Sequence, residues 1–312
     1  MTETLRVTPD NADSYADSYA DLRARLFIPL GVDGVRASTG LFEDVVEGVN
    51  RLITGLRPGG AEVIRFPPVI PRVTLEKSGY LRNFPLQLGC VCAFGGSEKD
   101  IGVQVERFYA SGTDWMSGLQ TEDLVLSPTV CLPVYPLVAS RGPILRTGAI
   151  FDVSGACFRR EPSQEVGRLQ SFRQRGLVFV GPEDRALAFR DTMLKLGETL
   201  ASILDLSYSV VSASDPFFGH ASRVLSLIQE EKALKYELRV PLAGEGNSMA
   251  CLSANYHEDH FGKSWGMQVE SGEVAHSACF GLGIERLVIA VFIRHGAEPA
   301  TWPASVLTRL GL

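Results

Sequence analysis

The sequence predicts an α+β fold in which a largely antiparallel sheet is flanked by helices. An amphipathic helix is indicated between residues 42 and 56, and apolar segments of strand length recur from residue 61 to residue 256. No linker rich in proline, glycine or serine divides the 312 residues. Because antiparallel strands covered by helices form a single layered core, we expect one domain over residues 1–312.

The segment up to residue 60 is predicted to be a helical N-terminal part. Residues 1–30 are polar and indicate a short helix or a loose end. In the next helix the apolar side chains recur at helical spacing and form one face: Phe42, Val45, Val46, Val49, Leu52, Ile53 and Leu56. Pro58-Gly59-Gly60 ends this helix, residues 61–66 then predict a strand, and Pro67-Pro68 follows it.

The remaining elements are predicted from apolar runs and their spacing. Helices are expected directly after Pro182, over residues 221–234, and from Leu287 onward. The segments that read as strands are residues 150–158, 177–180, 206–212, 236–240 and 250–256.

Composition and charge exclude several classes of protein. The chain is 45% hydrophobic and 21% charged, its net charge is −6, and no Lys/Arg block suggests a large nucleic-acid footprint. The polar N-terminus is unlike a secretory signal, and the apolar run Leu287–Ile293 is too short to span a bilayer. We therefore expect a cytoplasmic protein that does not enter a membrane.

Six cysteines are scattered through the chain, which predicts reduced thiols rather than a disulfide framework. Cys90-Val91-Cys92 lies in a strand-like segment. Two thiols at this spacing can bind a metal, but we expect them to be part of the apolar core.

The stretch Ala278–Ile293 joins a short glycine-containing segment to a buried helix. Gly281 and Gly283 permit a positive φ angle or a close approach of the backbone to a ligand. Arg286 stands where the helix begins, and a rigidly held guanidinium suits a phosphate oxygen. Taken alone, this short pattern favours the plainer interpretation of a strand-to-helix turn that carries a surface arginine.

A second stretch strengthens the phosphate-binding interpretation. Phe158-Arg159-Arg160-Glu161 is followed, after a polar loop, by Arg168-Leu169-Gln170-Ser171-Phe172. This pattern resembles motif 2 of the class II aminoacyl-tRNA synthetases, and Gly281–Arg286 resembles their motif 3. The long helix, strand and proline of residues 42–68 resemble motif 1, which implies a homodimer. The resemblance therefore implies the class II catalytic core.

The resemblance also implies roles for individual side chains. The catalytic arginines would be Arg159, on the α-phosphate of ATP and the substrate carboxylate, and Arg286, on adenine and the γ-phosphate. Glu161 would accept from the adenine amino group, Arg168 would reach the terminal phosphates, and Phe172 would stack on adenine. Glu237 is a candidate Mg²⁺ ligand, because this hard cation prefers carboxylate oxygen.

A closer resemblance rests on two cysteines. Cys131, in Pro128-Thr129-Val130-Cys131, and Cys279, just before Gly281, resemble the zinc-dependent seryl-tRNA synthetases of methanogens and their truncated relatives, the amino acid:[carrier protein] ligases. The relatives form an aminoacyl adenylate and pass it to the phosphopantetheine thiol of an acidic carrier protein, without a tRNA-binding extension. In this interpretation Ser253 and Asn255 line the amino-acid pocket. The helix after Phe218, with Arg223, would meet the carrier protein or remain a solvated face.

One residue departs from the family pattern. The resemblance implies a zinc ion held by Cys131, Cys279 and a glutamate, but the glutamate position is Gly176. Two thiolates alone leave a catalytic zinc site incomplete. Three hypotheses remain open: zinc is lost, a substitute ligand replaces the glutamate, or the glycine enlarges the pocket. The candidate substitutes are Cys157, Cys251, His257 and His276.

Two other functions are compatible with these motifs. A tRNA ligase would need a basic tRNA-binding surface, which the charge balance does not suggest. A catalytically silent paralogue with a binding or regulatory role would not need the nucleotide-binding set of Arg159, Glu161, Phe172 and Arg286. We therefore predict an adenylate-forming ligase that uses ATP and Mg²⁺ and does not bind tRNA.

Overall fold

A seven-stranded sheet lies at the centre of the computed structural model, which describes residues 21–242 and 247–312. Its strand order is β3 (Glu62–Arg65), β7 (Ala149–Phe158), β8 (Ser171–Gly181), β12 (His276–Gly283), β11 (Ser248–Tyr256), β10 (Lys235–Pro241) and β9 (Ser209–Ser212); β3 runs parallel to β7 and the other neighbours are antiparallel. The largely antiparallel sheet that the sequence predicted is therefore confirmed. The strands, in chain order, are β1 Phe27–Val32, β2 Val35–Ser38, β3 Glu62–Arg65, β4 Val69–Pro71, β5 Cys90–Phe94, β6 Leu119–Leu126, β7 Ala149–Phe158, β8 Ser171–Gly181, β9 Ser209–Ser212, β10 Lys235–Pro241, β11 Ser248–Tyr256 and β12 His276–Gly283.

Helices cover one face of this sheet. After the helical residues 21–26, the α-helices are α1 Gly40–Leu56, α2 Arg72–Lys77, α3 Tyr80–Asn83, α4 Glu98–Ser111, α5 Val134–Ala139, α6 Glu183–Ile203, α7 Ser222–Glu231, α8 His260–Trp265, α9 Ile284–His295 and α10 Ala304–Leu310. The long helices α1, α6 and α9 and the C-terminal α10 share one apolar core with the sheet. No helix of the described ranges combines the length and the apolarity that a bilayer span requires.

The alternation of side chains along β12 separates the two faces of the sheet. Ala278, Phe280 and Leu282 are buried in the core beneath α1, α6 and α9. Cys279 and Gly281 lie between them in the chain and therefore point to the opposite face. That face carries the candidate site.

The N-terminal part differs from its prediction. Helix α1 forms with the predicted buried face, but residues 27–38 are a β-hairpin, so the expectation that residues 1–60 are helical up to the first strand is wrong there. The Asp33-Gly34 pair explains the difference, because Gly34 takes a φ of +76° at the turn and such pairs favour tight hairpins. Residues 21–26 are helical; residues 1–20, which also fall under this prediction, lie outside the described residues.

The prediction for Cys90 and Cys92 is half right. Both lie in a strand, β5, but both are exposed. The strand is at the edge of a separate three-stranded sheet with the order β4-β6-β5, and α4, which follows it, buries none of its residues. The apolar pattern predicted the strand correctly. It could not predict burial, because burial depends on other elements packing against the strand.

Candidate active site

A cavity of about 950 Å³ opens on the sheet face opposite the long helices α1, α6 and α9. Its floor is formed by alternate residues of four neighbouring strands, because side chains two positions apart share a face. The register aligns Glu237 of β10 with Ser253 of β11, and Ser253 with Gly281 of β12. The strands thus present a continuous polar surface to the cavity.

The structure gathers almost all of the predicted site residues around this cavity. Gly176 is the exception, because it lies in β8 beside the lining residues without lining the cavity itself. The predicted residues that line the cavity are Cys131, Arg159, Glu161, Arg168, Phe172, Glu237, Ser253, Asn255, Cys279, Gly281, Gly283 and Arg286. Their placement agrees with a shared site, while their individual roles stay predictions.

Arg286 lies in the first turn of α9, as its sequence position predicted. Its guanidinium donates from Nε to the carbonyl oxygen of Gly167 (2.9 Å) and from Nη1 to that of Ala250 (3.2 Å). Burial, followed by the charges of Arg159 and Arg168, lowers the pKa of Arg286 from its usual value. Like charges that act on one another in this way favour the binding of an anion that neutralises them.

Arg159 and Phe172 form a second unit of the site. Arg159 Nε donates to the carbonyl oxygen of Pro128 (3.0 Å), and its Cζ lies 5.4 Å from the centroid of the Phe172 ring. The ring is half-buried and faces the cavity. Together they offer a flat apolar face for a nucleobase and a fixed cation for a phosphate or carboxylate.

Glu161 is held by a chain of hydrogen bonds that the sequence did not indicate. Gln87 Nε2 donates to Glu161 Oε1 (2.6 Å), and Tyr80 Oη donates to Gln87 Oε1 (2.7 Å). Burial raises the pKa of Tyr80 to about 12, so its hydroxyl remains a donor. On the other side Arg168 Nη1 lies 3.2 Å from Glu161 Oε2. Gln87 is the last residue of a short 3-10 helix, Pro85–Gln87, which carries no motif, so no pattern identified it.

We expect Gln87→Leu to raise the KM for ATP about tenfold and to change kcat little. The loss of one hydrogen bond to a charged carboxylate costs about 1.5–3 kcal/mol, and only part of this reaches ATP through Glu161. Steady-state kinetics with varied ATP measure the effect. Gln268→Leu is the control, because Gln268 is exposed outside the cavity. An unchanged KM for ATP, or an equal effect of Gln268→Leu, would contradict a positioning role.

Glu237 faces the cavity but is already neutralised by two cations. Its carboxylate lies 2.7 Å from Arg239 Nη1 and 3.2 Å from Lys235 Nζ. A Mg²⁺ ion bound here would have to displace one of these partners. The structure places the predicted ligand on the cavity floor.

Two buried thiols mark the other end of the cavity, which we call the thiol end; it comprises Cys131, Cys279, Asn255 and His257. Asn255 Nδ2 lies 3.4 Å and His257 Nε2 lies 3.5 Å from Cys279 Sγ. A hydrogen bond with Cys131, followed by burial, raises the pKa of Cys279 well above its usual value. The thiol end is therefore a hydrogen-bonded cluster around Cys279.

Gly176 adjoins the thiol end without adding a ligand or a recess. It pairs with Gly281 of β12 and with Val153 of β7. A Cβ atom at this position would lie 3.1 Å from Cys131 Sγ, 3.3 Å from Val153 Cγ2 and 3.4 Å from Val130 Cγ2. The space beside the glycine is thus already filled, so the hypothesis that it enlarges the pocket is not supported.

The residues present do not fit the zinc ion that the resemblance implied. Of the four candidate substitutes, Cys157 and His276 do not line the cavity, and the Cys251 thiol faces the backbone of α9 at 3.5 Å. His257 does contact Cys279. However, within residues 21–242 and 247–312, no three His, Cys, Asp or Glu side chains are arranged to hold a metal ion.

Neither glycine of the Gly281–Gly283 segment has the positive φ that was considered from the sequence. Gly281 is an ordinary residue of β12, and Gly283 precedes α9 with a φ of −81°. Of the two alternatives considered, a positive φ does not occur, because the strand continues to Gly283 instead of ending in a tight turn, and the close approach of the backbone to a ligand stays a prediction. A Cβ at Gly281 would lie 3.3 Å from Ser253 Oγ, so the glycine keeps the cavity floor open.

Comparison with solved structures shows the fold. M. kandleri SerRS in complex with A. aeolicus tRNASec matches with a TM-score of 0.78 and 21% identity, over 99% of this chain and 61% of that chain. Prolyl-tRNA synthetase from Cryptosporidium parvum, complexed with halofuginone and AMPPNP, matches with a TM-score of 0.65 and 15% identity, over 93% and 54%. The fold is that of the class II aminoacyl-tRNA synthetases, as predicted.

Sequence comparison gives relatives of two kinds, although no family model matches. The type-2 serine--tRNA ligase of Methanopyrus kandleri is 27% identical over 80% of this chain, which spans about half (51%) of that relative. Amino acid--[acyl-carrier-protein] ligases 1 and 2 of Bradyrhizobium diazoefficiens are 47% and 46% identical, over 98% and 97% of this chain and 93% and 90% of the relatives. With this identity over nearly the full length of both chains, the protein belongs to the amino acid--[acyl-carrier-protein] ligase family.

Proposed function

We propose that the protein activates a small amino acid or a related acid with ATP and transfers the acyl group to the phosphopantetheine thiol of a carrier protein. Family membership supports the overall reaction. The observation that carries the proposal for this site is the convergence of Arg159, Arg168 and Arg286 on one cavity that ends at the thiol end. The three guanidinium groups can bind the triphosphate of ATP, and the thiol end of the cavity can hold a small acid beside it.

In the first step a carboxylate oxygen of the acid attacks the α-phosphorus of ATP. The new oxygen–phosphorus bond replaces the bond to pyrophosphate, which leaves. Arg159 would hold the two anions together, while Arg168 and Arg286 would stabilise the charge on the phosphates. Glu161 would accept from the adenine amino group, and Phe172 would stack on the base. All five side chains line the cavity, in agreement with these roles.

In the second step the carrier thiol attacks the carbonyl carbon of the acyl adenylate. A thioester forms, AMP leaves, and the thiol proton passes to solvent or to the departing phosphate. The mixed anhydride is already activated, so the reaction does not need an enzyme nucleophile. The buried cysteines therefore have no covalent role in this proposal.

ATP would bind as its magnesium complex, in which the ion neutralises phosphate charge. Glu237 is the candidate ligand of the protein, because its carboxylate lies on the cavity floor. If the Mg²⁺ ion replaced Arg239 or Lys235 as the partner of the Glu237 carboxylate, the freed side chain could contact the phosphates.

The carrier protein would dock on α7. Arg223 and the apolar side chains Val224, Leu227 and Ile228 of this helix are exposed. The helix is joined to the cavity rim, because the Asp215 backbone N–H donates to Gln229 Oε1 (2.7 Å) and Gln229 Nε2 donates to Asp215 Oδ2 (2.8 Å). A helix with exposed apolar side chains and an exposed arginine near its start, beside the cavity, suits a partner that delivers a flexible prosthetic arm. We also propose a homodimer built through α1 and β3, the elements that resemble motif 1.

The test is acid-dependent ATP–pyrophosphate exchange with a wide panel of amino and related acids, with and without added Zn²⁺. Exchange with one acid, followed by thioester formation on a phosphopantetheinylated carrier protein, is the expected result. Charging of total tRNA instead of the carrier protein would favour a tRNA ligase. Binding of ATP without exchange for any acid would favour a catalytically silent paralogue.

A further inference from the structure

We propose that the thiol end receives its substrate without a resident metal ion, and that it favours an acid whose α-substituent is uncharged. The substrate class would be short 2-hydroxy acids rather than the matching α-amino acids. This inference rests on the proposed function, since it concerns the acid activated at the same site. It follows from the charges and hydrogen-bonding groups around the cavity.

The cavity has two chemically distinct ends. Arg159, Arg168 and Arg286 lie at the end that suits phosphate, and the thiol end is the other. Arg159 lies beside the segment that carries Cys131, because its Nε donates to the carbonyl oxygen of Pro128 (3.0 Å), three residues before Cys131 in the chain. An acid whose carboxylate meets Arg159 therefore directs its other substituents toward the thiol end.

Each carboxylate that lines the cavity already has a cationic partner. None of them is hydrogen-bonded to a residue of the thiol end within the described part of the chain. The pairs and their shortest distances are Glu161–Arg168 3.2 Å, Glu165–Arg168 3.3 Å, Asp215–Lys235 2.6 Å, Glu237–Arg239 2.7 Å and Glu285–Arg173 2.7 Å. A substrate ammonium at the thiol end would thus meet no uncompensated anion.

Gly176 supplies no anion either. Its own position offers only backbone, and the atoms that surround a Cβ there are the Cys131 thiol and the methyl groups of Val130 and Val153. Two of these three neighbours are apolar methyl groups. Residue 176 therefore neither binds an ammonium nor completes a metal site with the two cysteines.

The groups that remain at the thiol end are amide, imidazole and thiol groups, which can form hydrogen bonds with a ligand. Asn255 Nδ2 lies 3.2 Å from Ser253 Oγ, which leaves Asn255 Oδ1 to accept from a ligand. His257 Nδ1 lies 3.0 Å from Ser277 Oγ, so its Nε2 points to Cys279. A hydroxyl can both donate to and accept from such groups, whereas a buried ammonium would keep an uncompensated charge.

The experiment compares matched acids in ATP–pyrophosphate exchange with the full-length, chelator-treated protein. Glycolate against glycine and lactate against alanine differ only in the α-substituent. We expect kcat/KM to be at least tenfold higher for the hydroxy acids. A preference for the amino acids, or no preference, would overturn the inference and leave the proposed function standing. No exchange with any acid of the wide panel would instead refute the proposed function, and the inference with it.

Gly176→Glu and its isosteric control Gly176→Gln test the role of charge. Both add a side chain against Cys131, so both are expected to lower activity through the same crowding. Only the glutamate should raise the amino-acid to hydroxy-acid ratio of kcat/KM by tenfold or more. An equal shift in both variants, or no shift with glutamate, would overturn the charge argument. If either variant does not fold, the substrate preference is decided by comparing the hydroxy acids with the amino acids in the unmodified protein.

Cobalt(II) binding provides a readout that is independent of activity. The unmodified protein is expected to give no cobalt–thiolate absorption with one equivalent of the metal, because two thiols alone do not complete a site. Gly176→Glu is expected to give this absorption, and Gly176→Gln is not. A saturating band at one cobalt per chain in the unmodified protein would overturn the metal-free site.

Discussion

Replacing Arg286 by lysine is expected to lower the kcat of ATP–pyrophosphate exchange about 100-fold. The guanidinium is fixed by two carbonyl oxygens, those of Gly167 and Ala250, and it faces the charges of Arg159 and Arg168. A lysine keeps the charge but cannot make both contacts while it also reaches a phosphate, because it has no planar fork of donors. Loss of one donor that stabilises transition-state charge typically costs 100- to 1,000-fold.

The matched control is Arg294→Lys in the same helix. Arg294 is exposed and donates to the Asp205 backbone oxygen (2.8 Å) and carboxylate (2.9 Å), outside the cavity. We expect this variant to exchange pyrophosphate at the rate of the unmodified protein. Equal rates for both variants would contradict a phosphate-binding role of Arg286. A fall only in the melting temperature of Arg286→Lys would assign the residue to stability instead.

The architecture was largely predictable because its signals are local and repeated. Helix α1 buries the residues whose spacing indicated it, and β7, β8, β10 and β11 lie where apolar runs of strand length were found. The hairpin of residues 27–38 was missed although Asp33-Gly34 is a hairpin signal. Strand β1 is exposed after Phe27 and β2 is half-buried throughout, so neither strand shows a clear alternation. Burial at Cys90 was also misjudged, since burial depends on packing from distant parts of the chain.

The candidate site was predictable where a motif fixes both residue type and spacing. Arg159, Glu161, Phe172 and Arg286 belong to such motifs and do line one cavity. Gln87 carries no signal, because its function in the site arises only when the fold brings it against Glu161. The sequence also could not predict that the space beside Gly176 is filled, because Val130 and Val153 reach this space from other segments of the chain.

A cluster of buried ion pairs near the edge of the central sheet stabilises the fold and lies outside the candidate site. Asp152 of β7 is fully buried and makes a bidentate pair with Arg175 of β8, at 2.8 and 2.6 Å. Arg175 Nη1 also donates to the backbone oxygen of Asn50 in α1 (2.9 Å). Arg57 Nη1 approaches the same carboxylate at 3.2 Å. The cluster therefore joins the motif-1-like helix to the central strands.

We expect Asp152→Ala to lower the free energy of unfolding by about 3–5 kcal/mol, measured by urea denaturation at pH 7. Removal of one member of a buried pair leaves the other charge uncompensated, and Arg175 is almost completely buried. Asp123→Ala is the control: it breaks the exposed pair of Asp123 with Arg72 and is expected to cost about 0–1 kcal/mol. Similar losses for the two variants would contradict a special contribution of the buried cluster.

The cluster should also give the protein a defined response to acid. Burial acts to raise the pKa of Asp152, but the hydrogen bond and charge of Arg175 outweigh it and hold the pKa below its usual value. A carboxyl with a depressed pKa stabilises the folded state above the unfolded pKa of about 3.9, and this contribution is lost as pH falls through the folded pKa. Unfolding free energies of the unmodified protein and Asp152→Asn should therefore converge below about pH 4. A difference that stays constant from pH 7 into that range would show that packing, and not the carboxylate charge, is responsible.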